Sequence, residues 1–213
     1  MAPAPSPQRK RRAYAARVPI EERRGQLREA TLRVLNRDGY GAISIEAIAH
    51  EAGVTRPVVY SAYPNLEALL VDVLDQTHAE VLTQLLPVLL DPETAASGRH
   101  AIGSVARAWI AAVRSQPATW TPILVGVETP RIVHQRIEQG RDEVCRALAG
   151  LLASQDERAT ASGYDRLAAE AVVAAAEHFG RRLLAEPGSV DGEQLVTLFD
   201  RIVEGLYPPE PAR

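Results

Sequence analysis

One cysteine, one lysine and no long apolar run: the scarcities of this 213-residue chain narrow what it can be. Cys145 alone forms no internal disulfide framework and no cysteine-based zinc site, which suits a reducing cytoplasm. No stretch reaches the roughly 18 consecutive apolar residues that a membrane-spanning helix needs. The N-terminal "MAPAPSPQRKRRAYAARVP" is basic but has no apolar core behind its charges, so it does not read as a secretory signal. Five histidines (His50, His78, His100, His134 and His178) include no pair at the H-x-x-x-H spacing of a helical metal site. No glycine-rich loop is present to cradle phosphate. These absences predict neither a metal nor a cofactor. No segment alternates apolar and polar residues over strand length, and no internal repeat is evident.

What is present is a foldable helical composition, 46% hydrophobic and 24% charged. The formal net charge of −3 hides an asymmetry. Residues 1–63 hold 11 arginines and lysines against 6 carboxylates, and residues 64–213 hold 13 against 21. A basic front on an acidic body predicts an anionic partner bound by the front alone. A basic tail on an ordinary protein would give the same count, since the tail supplies 5 of those 11 cations.

Residues 1–18 are Pro/Ala-rich, basic and aperiodic, and are expected to form a flexible arm. After Pro19 helical periodicity begins, with Leu27, Ala30, Thr31, Val34 and Leu35 on one face and Gly39 as a left-handed C-terminal cap. Ser44 is a suitable N-cap for a second helix, whose apolar face is Ile45, Ile48, Ala49 and Ala52, and Gly53 closes it. Thr55 is expected to cap a third helix with Pro57 in its first turn, and Pro64 restricts Tyr63 and ends it after about two turns. Asn65 caps a fourth helix that Pro87 is expected to kink or end. Further helices are predicted at 101–115, 118–127, 130–153, 164–186 and 191–206, giving an all-α chain of about nine helices with a boundary near residue 64.

Counting Ile45 as the first residue of the second helix places Ala49 fifth, Gly53 ninth and Val59 fifteenth. A helix-turn-helix needs a small residue where its helices cross, a positive φ at the turn, and an apolar anchor on the second helix. The three residues meet those needs in turn. No acidic residue lies between Val54 and Asn65, as expected of a face that meets phosphates. On that face Arg56 can donate a bidentate pair to guanine, and Pro57 and Val58 can touch a thymine methyl. Ser44 and Thr55 at helix N-termini, with Tyr60 and Ser61, can position backbone phosphates. Tyr60 and Tyr63 also fit as packed aromatics, and for Tyr63 packing is the expected role.

At this point "LREATLRVLNRDGYGAISIEAIAHEAGVTRPVVYSAYPNLEALL", residues 27–70, resembles the tetracycline-repressor-like (TetR) transcriptional regulators. The shared pattern is Gly39-Tyr40, Ser44, Ile48-Ala49, Ala52-Gly53-Val54-Thr55, Tyr60, Tyr63 and Leu69-Leu70. Two departures stand out. The family's common Ser-Lys-Glu at the start of the fourth helix is Asn65-Leu66-Glu67 here, without the lysine that approaches a phosphate. Pro57 and Tyr63 replace a frequent small residue and a frequent Phe. Arg56 and the arm residues Arg9, Lys10, Arg11 and Arg12 are expected to supply part of the missing charge, since basic arms can lie in an adjacent minor groove.

The resemblance implies a three-helix DNA-binding domain at 19–64 and an effector-binding and dimerisation domain at 65–213. It implies a homodimer that is released from double-stranded palindromic DNA, and so from repression, by a small-molecule effector. Trp109, Trp120, His134 and Phe179 are the candidates for the effector pocket. Ala168, Ala171, Val172 and Ala175, with Leu195, Leu198, Phe199 and Ile202, are the candidates for the dimer face. Two other readings remain at this level. One is an all-α enzyme whose carboxylates meet only on folding. The other is a helical interaction module whose helix-turn-helix no longer binds DNA, for which Leu66 is the best support.

Overall fold

Pro19, with no N–H to leave unsatisfied, opens the first helix, α1 (Ile20–Asp38), in a computed structural model that describes residues 18–89, 101–125, 129–153 and 163–207, with Asp91, Glu93 and Ser97. Glu21 and Glu22 in its first turn and Arg37 in its last complement the helix dipole. Gly39 has the expected positive φ of 76° but a ψ of 178°, so the chain leaves α1 extended and not in a left-handed helical cap. A single 3₁₀ turn, Tyr40–Ala42, leads to α2 (Ile45–Glu51), α3 (Arg56–Ala62) and α4 (Leu66–Leu89). Then come α5 (Ile102–Ser115), α6 (Pro117–Leu124), α7 (Arg131–Ala153), α8 (Gly163–Ala185) and α9 (Gly192–Leu206). Among the described residues these are nine α-helices and no strand, in agreement with the all-α expectation. The arm residues Arg9, Lys10, Arg11 and Arg12 lie outside the described residues.

The turn between α2 and α3 follows from its residues. Ser44 Oγ accepts the Ala47 N–H at 3.1 Å and caps α2. At the other end Gly53 takes φ 63°, its N–H donates to His50 O at 3.1 Å, and the Val54 N–H donates to Ala49 O at 2.9 Å. That paired closure requires a left-handed residue, which glycine supplies without a Cβ penalty. Thr55 occupies the N-cap position of α3 with no side-chain cap bond, which corrects the expectation that its hydroxyl closes that helix. Tyr63 is extended (φ −136°, ψ 132°), as the residue before a proline should be, and α3 stops at Ala62. Asn65 Oδ1 accepts the Ala68 N–H at 2.8 Å and starts α4. Pro87 does not end α4, which continues to Leu89.

Two hydrophobic cores result. The first gathers Leu27, Ala30, Ile48, Ala49, Val59 and Leu69 from α1 to the start of α4. The second runs from Val81 through α5, α6, α7, α8 and α9, with Trp109, Trp120 and Phe199 among its members. A smaller cluster of Leu70, Leu74 and Val133 joins them. Leu66 packs against both the first core and this joining cluster, so the side chain at the family's lysine position serves packing here.

Arginines of α1 hold the short helices in place. Arg33 and Arg37 both pair with Glu51 at the end of α2, at 2.8 and 2.9 Å. Arg24 lies 5.5 Å from the Tyr63 ring centroid, and Arg28 pairs with Asp72 of α4 at 2.9 Å. The Tyr63 hydroxyl donates to the same Asp72 carboxylate. Burial alone would raise the Asp72 pKa, but the hydrogen bonds from Tyr63 and Arg28 outweigh it and hold the carboxyl below its ordinary 3.8. A group with a depressed folded pKa adds stability above its unfolded pKa and loses it as pH falls through the folded value. Asp72→Asn should therefore lower the melting temperature at neutral pH, and its gap from the wild type should close below pH 3.8. Melting curves across that range check it, and a gap that stays constant would locate the effect elsewhere.

Candidate DNA-binding surface and ligand cavity

The α3 helix buries Val59 and Ala62 and turns Arg56, Pro57, Tyr60 and Ser61 to solvent, with Thr55 exposed just before it. Val58 is half-buried, and Tyr63 is buried at the foot of the helix, so it does not belong to the exposed face. Tyr60 is 48% exposed, a large aromatic with no packing role on the first core. Ser61 Oγ donates to Val58 O at 2.7 Å, which ties its hydroxyl to the helix. Ser44 lies at the start of α2, exposed, with its Oγ engaged in the cap.

Charge pairing sets Arg56 apart. Arg24, Arg28, Arg33 and Arg37 each hold a carboxylate, whereas Arg56 has no hydrogen bond or ion pair with any described residue. The α1 cations, counted in the sequence as part of a basic front, are largely spent inside the fold. Among the described residues of that front, what remains for an outside anion is Arg56, with Arg23, whose guanidinium bonds only the neutral Gln26 at 2.7 Å.

The second core encloses a cavity of about 320 Å³. Its walls come from α4 (Leu74, Val81, Leu85), α5 (Ile102, Trp109), α6 (Trp120, Ile123, Leu124), α7 (Ile137, Val144), α8 (Val172, Ala176) and α9 (Phe199). Two ion pairs and a hydrogen bond line its polar side: Arg136 with Asp75, Arg141 with Glu177, and His78 Nε2 with Glu143 at 3.1 Å. Among the described residues, the Trp120 Nε1–H is the one buried side-chain donor that lacks a partner.

Of the four predicted pocket residues, Trp109 and Trp120 line this cavity. The other two do not. His134 is exposed on α7, and Phe179 packs edge-on against Phe199, with centroids 6.4 Å apart, outside the lining. Periodicity assigns a residue to a helix face, but the facing helices decide which face borders a void. Val172 and Phe199, predicted for the dimer face, are buried and line the cavity instead. Ala168 and Leu195, each 2% exposed, also belong to this chain's own core, which corrects their placement on a partner-facing surface. Ala171 and Leu198 are exposed, and Ala175 and Ile202 are half-buried. The outward stripe of α8 runs instead through Tyr164, Leu167 and Ala171, with Leu167 65% exposed. Alanine-rich helices hide such a phase, since a methyl group is tolerated on either face.

Two helices connect the cavity to the helices that carry the α3 face. On α4, Asp72 reaches Tyr63 and Arg28, while Leu74 and Val81 line the cavity. On α6, Pro122 has no N–H, so the Ala118 carbonyl loses its intrahelical donor. Asn36 of α1 takes that oxygen at 3.2 Å. One turn on, the Tyr40 hydroxyl donates to the Pro122 carbonyl at 3.0 Å, and burial pushes the Tyr40 phenol well above its ordinary pKa. The short α6 is thus clasped by the N-terminal helices on one side and presents Trp120, Ile123 and Leu124 to the cavity on the other. Nothing in the local sequence signals this clasp except Pro122 itself.

Residues 27–73 match the family model described as bacterial regulatory proteins, tetR family. The chain superposes on a TetR-like transcriptional regulator from Rhodococcus sp. RHA1 with a TM-score of 0.73, at 22% identity, over 91% of this chain and 100% of the other. A transcriptional regulator from Pseudomonas aeruginosa PAO1 gives 0.74 at 22% identity, over 90% and 93%. The transcriptional regulator FadR from Bacillus subtilis, solved in complex with stearoyl-CoA, gives 0.66 at 17%, over 86% and 97%. Among curated proteins none matches the sequence.

Proposed function

We propose, for a chain whose residues 27–73 belong to the tetR family of bacterial regulatory proteins and whose helices take the fold of TetR-like regulators, that it is a ligand-responsive, sequence-specific DNA-binding repressor, a regulator and not an enzyme. The observation that carries this reading is the carboxylate-free α3 face with unpaired Arg56, joined through α4 and α6 to an apolar cavity. On this reading Arg56 reads a base, Thr55, Tyr60 and Ser44 lie against phosphates, Pro57 and Val58 meet apolar base edges, and the cavity takes an effector. FadR from Bacillus subtilis, with its bound stearoyl-CoA, supports a ligand site in this fold.

The functional unit is a homodimer on a palindromic operator in the cytoplasm, because a two-fold site asks for a two-fold protein. Its contact face is built from Leu167, Ala171, Ala175, Leu198 and Ile202. Residues 1–18 act as the arm, 19–64 as the DNA-binding unit and 65–213 as the sensing and dimerising unit. Deleting residues 1–12 should weaken operator binding and flatten its salt dependence, because four cations leave with the segment. Titration at several salt concentrations checks it, and an unchanged slope would remove the arm from the interface.

The reading as a whole is tested by anisotropy titration of the full chain with DNA from upstream of its own gene. Binding by two chains per site, in preference to random duplex, is the expected result. Equal affinity for both DNAs would favour the interaction module with a degenerate helix-turn-helix.

A further inference from the structure

The chemistry around the cavity defines the class of molecule it takes, on the reading that the cavity is the effector site. Its walls are aliphatic and aromatic, and its volume of about 320 Å³ is at the small end of the roughly 300–1,000 Å³ usual for small-molecule sites. A charged ligand needs a counter-charge there. Both lining arginines already hold carboxylates: Arg136 pairs with Asp75 and also donates to Gln139 at 2.8 Å, and Arg141 pairs with Glu177 and Glu138. The third lining carboxylate, Glu143, faces His78 at 3.1 Å. An anion would have to displace a carboxylate from its arginine, and a cation would have to displace an arginine or His78. Either exchange breaks a contact already made at the edge of an apolar space, and at the two arginines it leaves a charge without its partner.

Inside, the unmet demand is of another kind. Trp120 is 5% exposed and lines the cavity, and its indole N–H is buried without an acceptor. Buried donors in folded proteins are almost always satisfied, and one left open beside a cavity is met by whatever fills it. We infer that the ligand is an uncharged, mainly apolar molecule with one hydrogen-bond acceptor, a ketone, ester or lactone oxygen, that accepts from Trp120 Nε1–H while its hydrocarbon part fills the space among Trp109, Leu85, Val144 and Phe199.

Three ten-carbon probes separate the possibilities: 2-decanone, decanoate and decylammonium, titrated into the full chain at neutral pH below micelle-forming concentrations. Trp109 and Trp120 are the chain's two tryptophans and both line the cavity, so intrinsic fluorescence reports binding. The ketone should bind at least about tenfold more tightly than either ion, since neither ion finds a free counter-charge. Trp120→Phe, read through Trp109, should weaken the ketone about fivefold, the worth of one neutral hydrogen bond, and leave decylammonium, which has no acceptor, unchanged. Either ion binding as tightly as the ketone would overturn the inference and leave the effector reading intact. So would a ketone affinity untouched by Trp120→Phe. Failure of all three probes to bind would overturn both. The wild-type ranking decides the matter even if the variant does not fold.

Discussion

Arg56→Ala should weaken operator binding by about 1–3 kcal/mol, roughly five- to 150-fold, and leave binding to random duplex nearly unchanged. The size of the effect follows from geometry. Arg56 is exposed at the start of α3 and holds no partner within the described chain, so its five N–H donors are available to the major groove. The same lack of partners means the substitution removes no side-chain hydrogen bond or ion pair within the described chain, and the melting temperature should stay within about 2 °C of the wild type. Arg56→Lys separates the two roles an arginine can play. Lysine keeps the point charge but loses the fork, so a phosphate contact would survive and a bidentate guanine contact would not. Anisotropy titrations on operator and random DNA, at two salt concentrations, read both. An equal loss on both DNAs, with a salt slope lower by about one, would make Arg56 a phosphate contact.

Replacing the α6 clasp, Tyr40→Phe with Asn36→Ala, should sharply weaken ligand-induced release while leaving each binding event in place. In the wild type, a ligand that releases DNA must change operator affinity by a coupling factor, typically about five- to 150-fold. The cavity reaches the N-terminal helices by two routes: α4 through Asp72, and α6 through the Asn36 and Tyr40 bonds to Ala118 O and Pro122 O. Ligand in the cavity presses on Trp120, Ile123 and Leu124, all on α6, and α6 is only eight residues long, so it moves as one body. With the clasp cut, α6 can shift without carrying α1 along. The coupling factor should fall to the part that α4 carries through Asp72, while ligand affinity by tryptophan fluorescence and ligand-free operator affinity stay within about threefold. A coupling factor as large as that of the wild type would assign the signal to α4 alone.

Much of the molecule was legible before folding, where the physics is local. Gly53 had to turn the chain because its position needs positive φ, and the structure puts it at 63°. Ser44 and Asn65 cap as their hydrogen-bonding chemistry demands, and Pro64 ends α3 by restricting the residue before it. Thr55 did not follow the rule. A threonine at an N-cap position can bond its own helix but is not compelled to, and only the backbone arrangement decides.

Tertiary structure settled what no single helix could. Whether an arginine is free or spent depends on carboxylates far along the chain, 44 residues away for Arg28 and Asp72 and 61 for Arg136 and Asp75. The two tryptophans could be picked out as cavity candidates by size, but His134 and Phe179 could not be excluded, because lining a void is a property of several helices together. The phase of α8 was unreadable for a related reason: its alanines fit a core and a surface equally, and only the packing of α5, α6, α7 and α9 shows which side is buried. Sequence alone thus determined where helices start, stop and turn, since each of those events costs or gains free energy within a few residues. The cavity, the clasp and the unpaired cation arise from contacts between distant segments, and those exist only once the helices have packed.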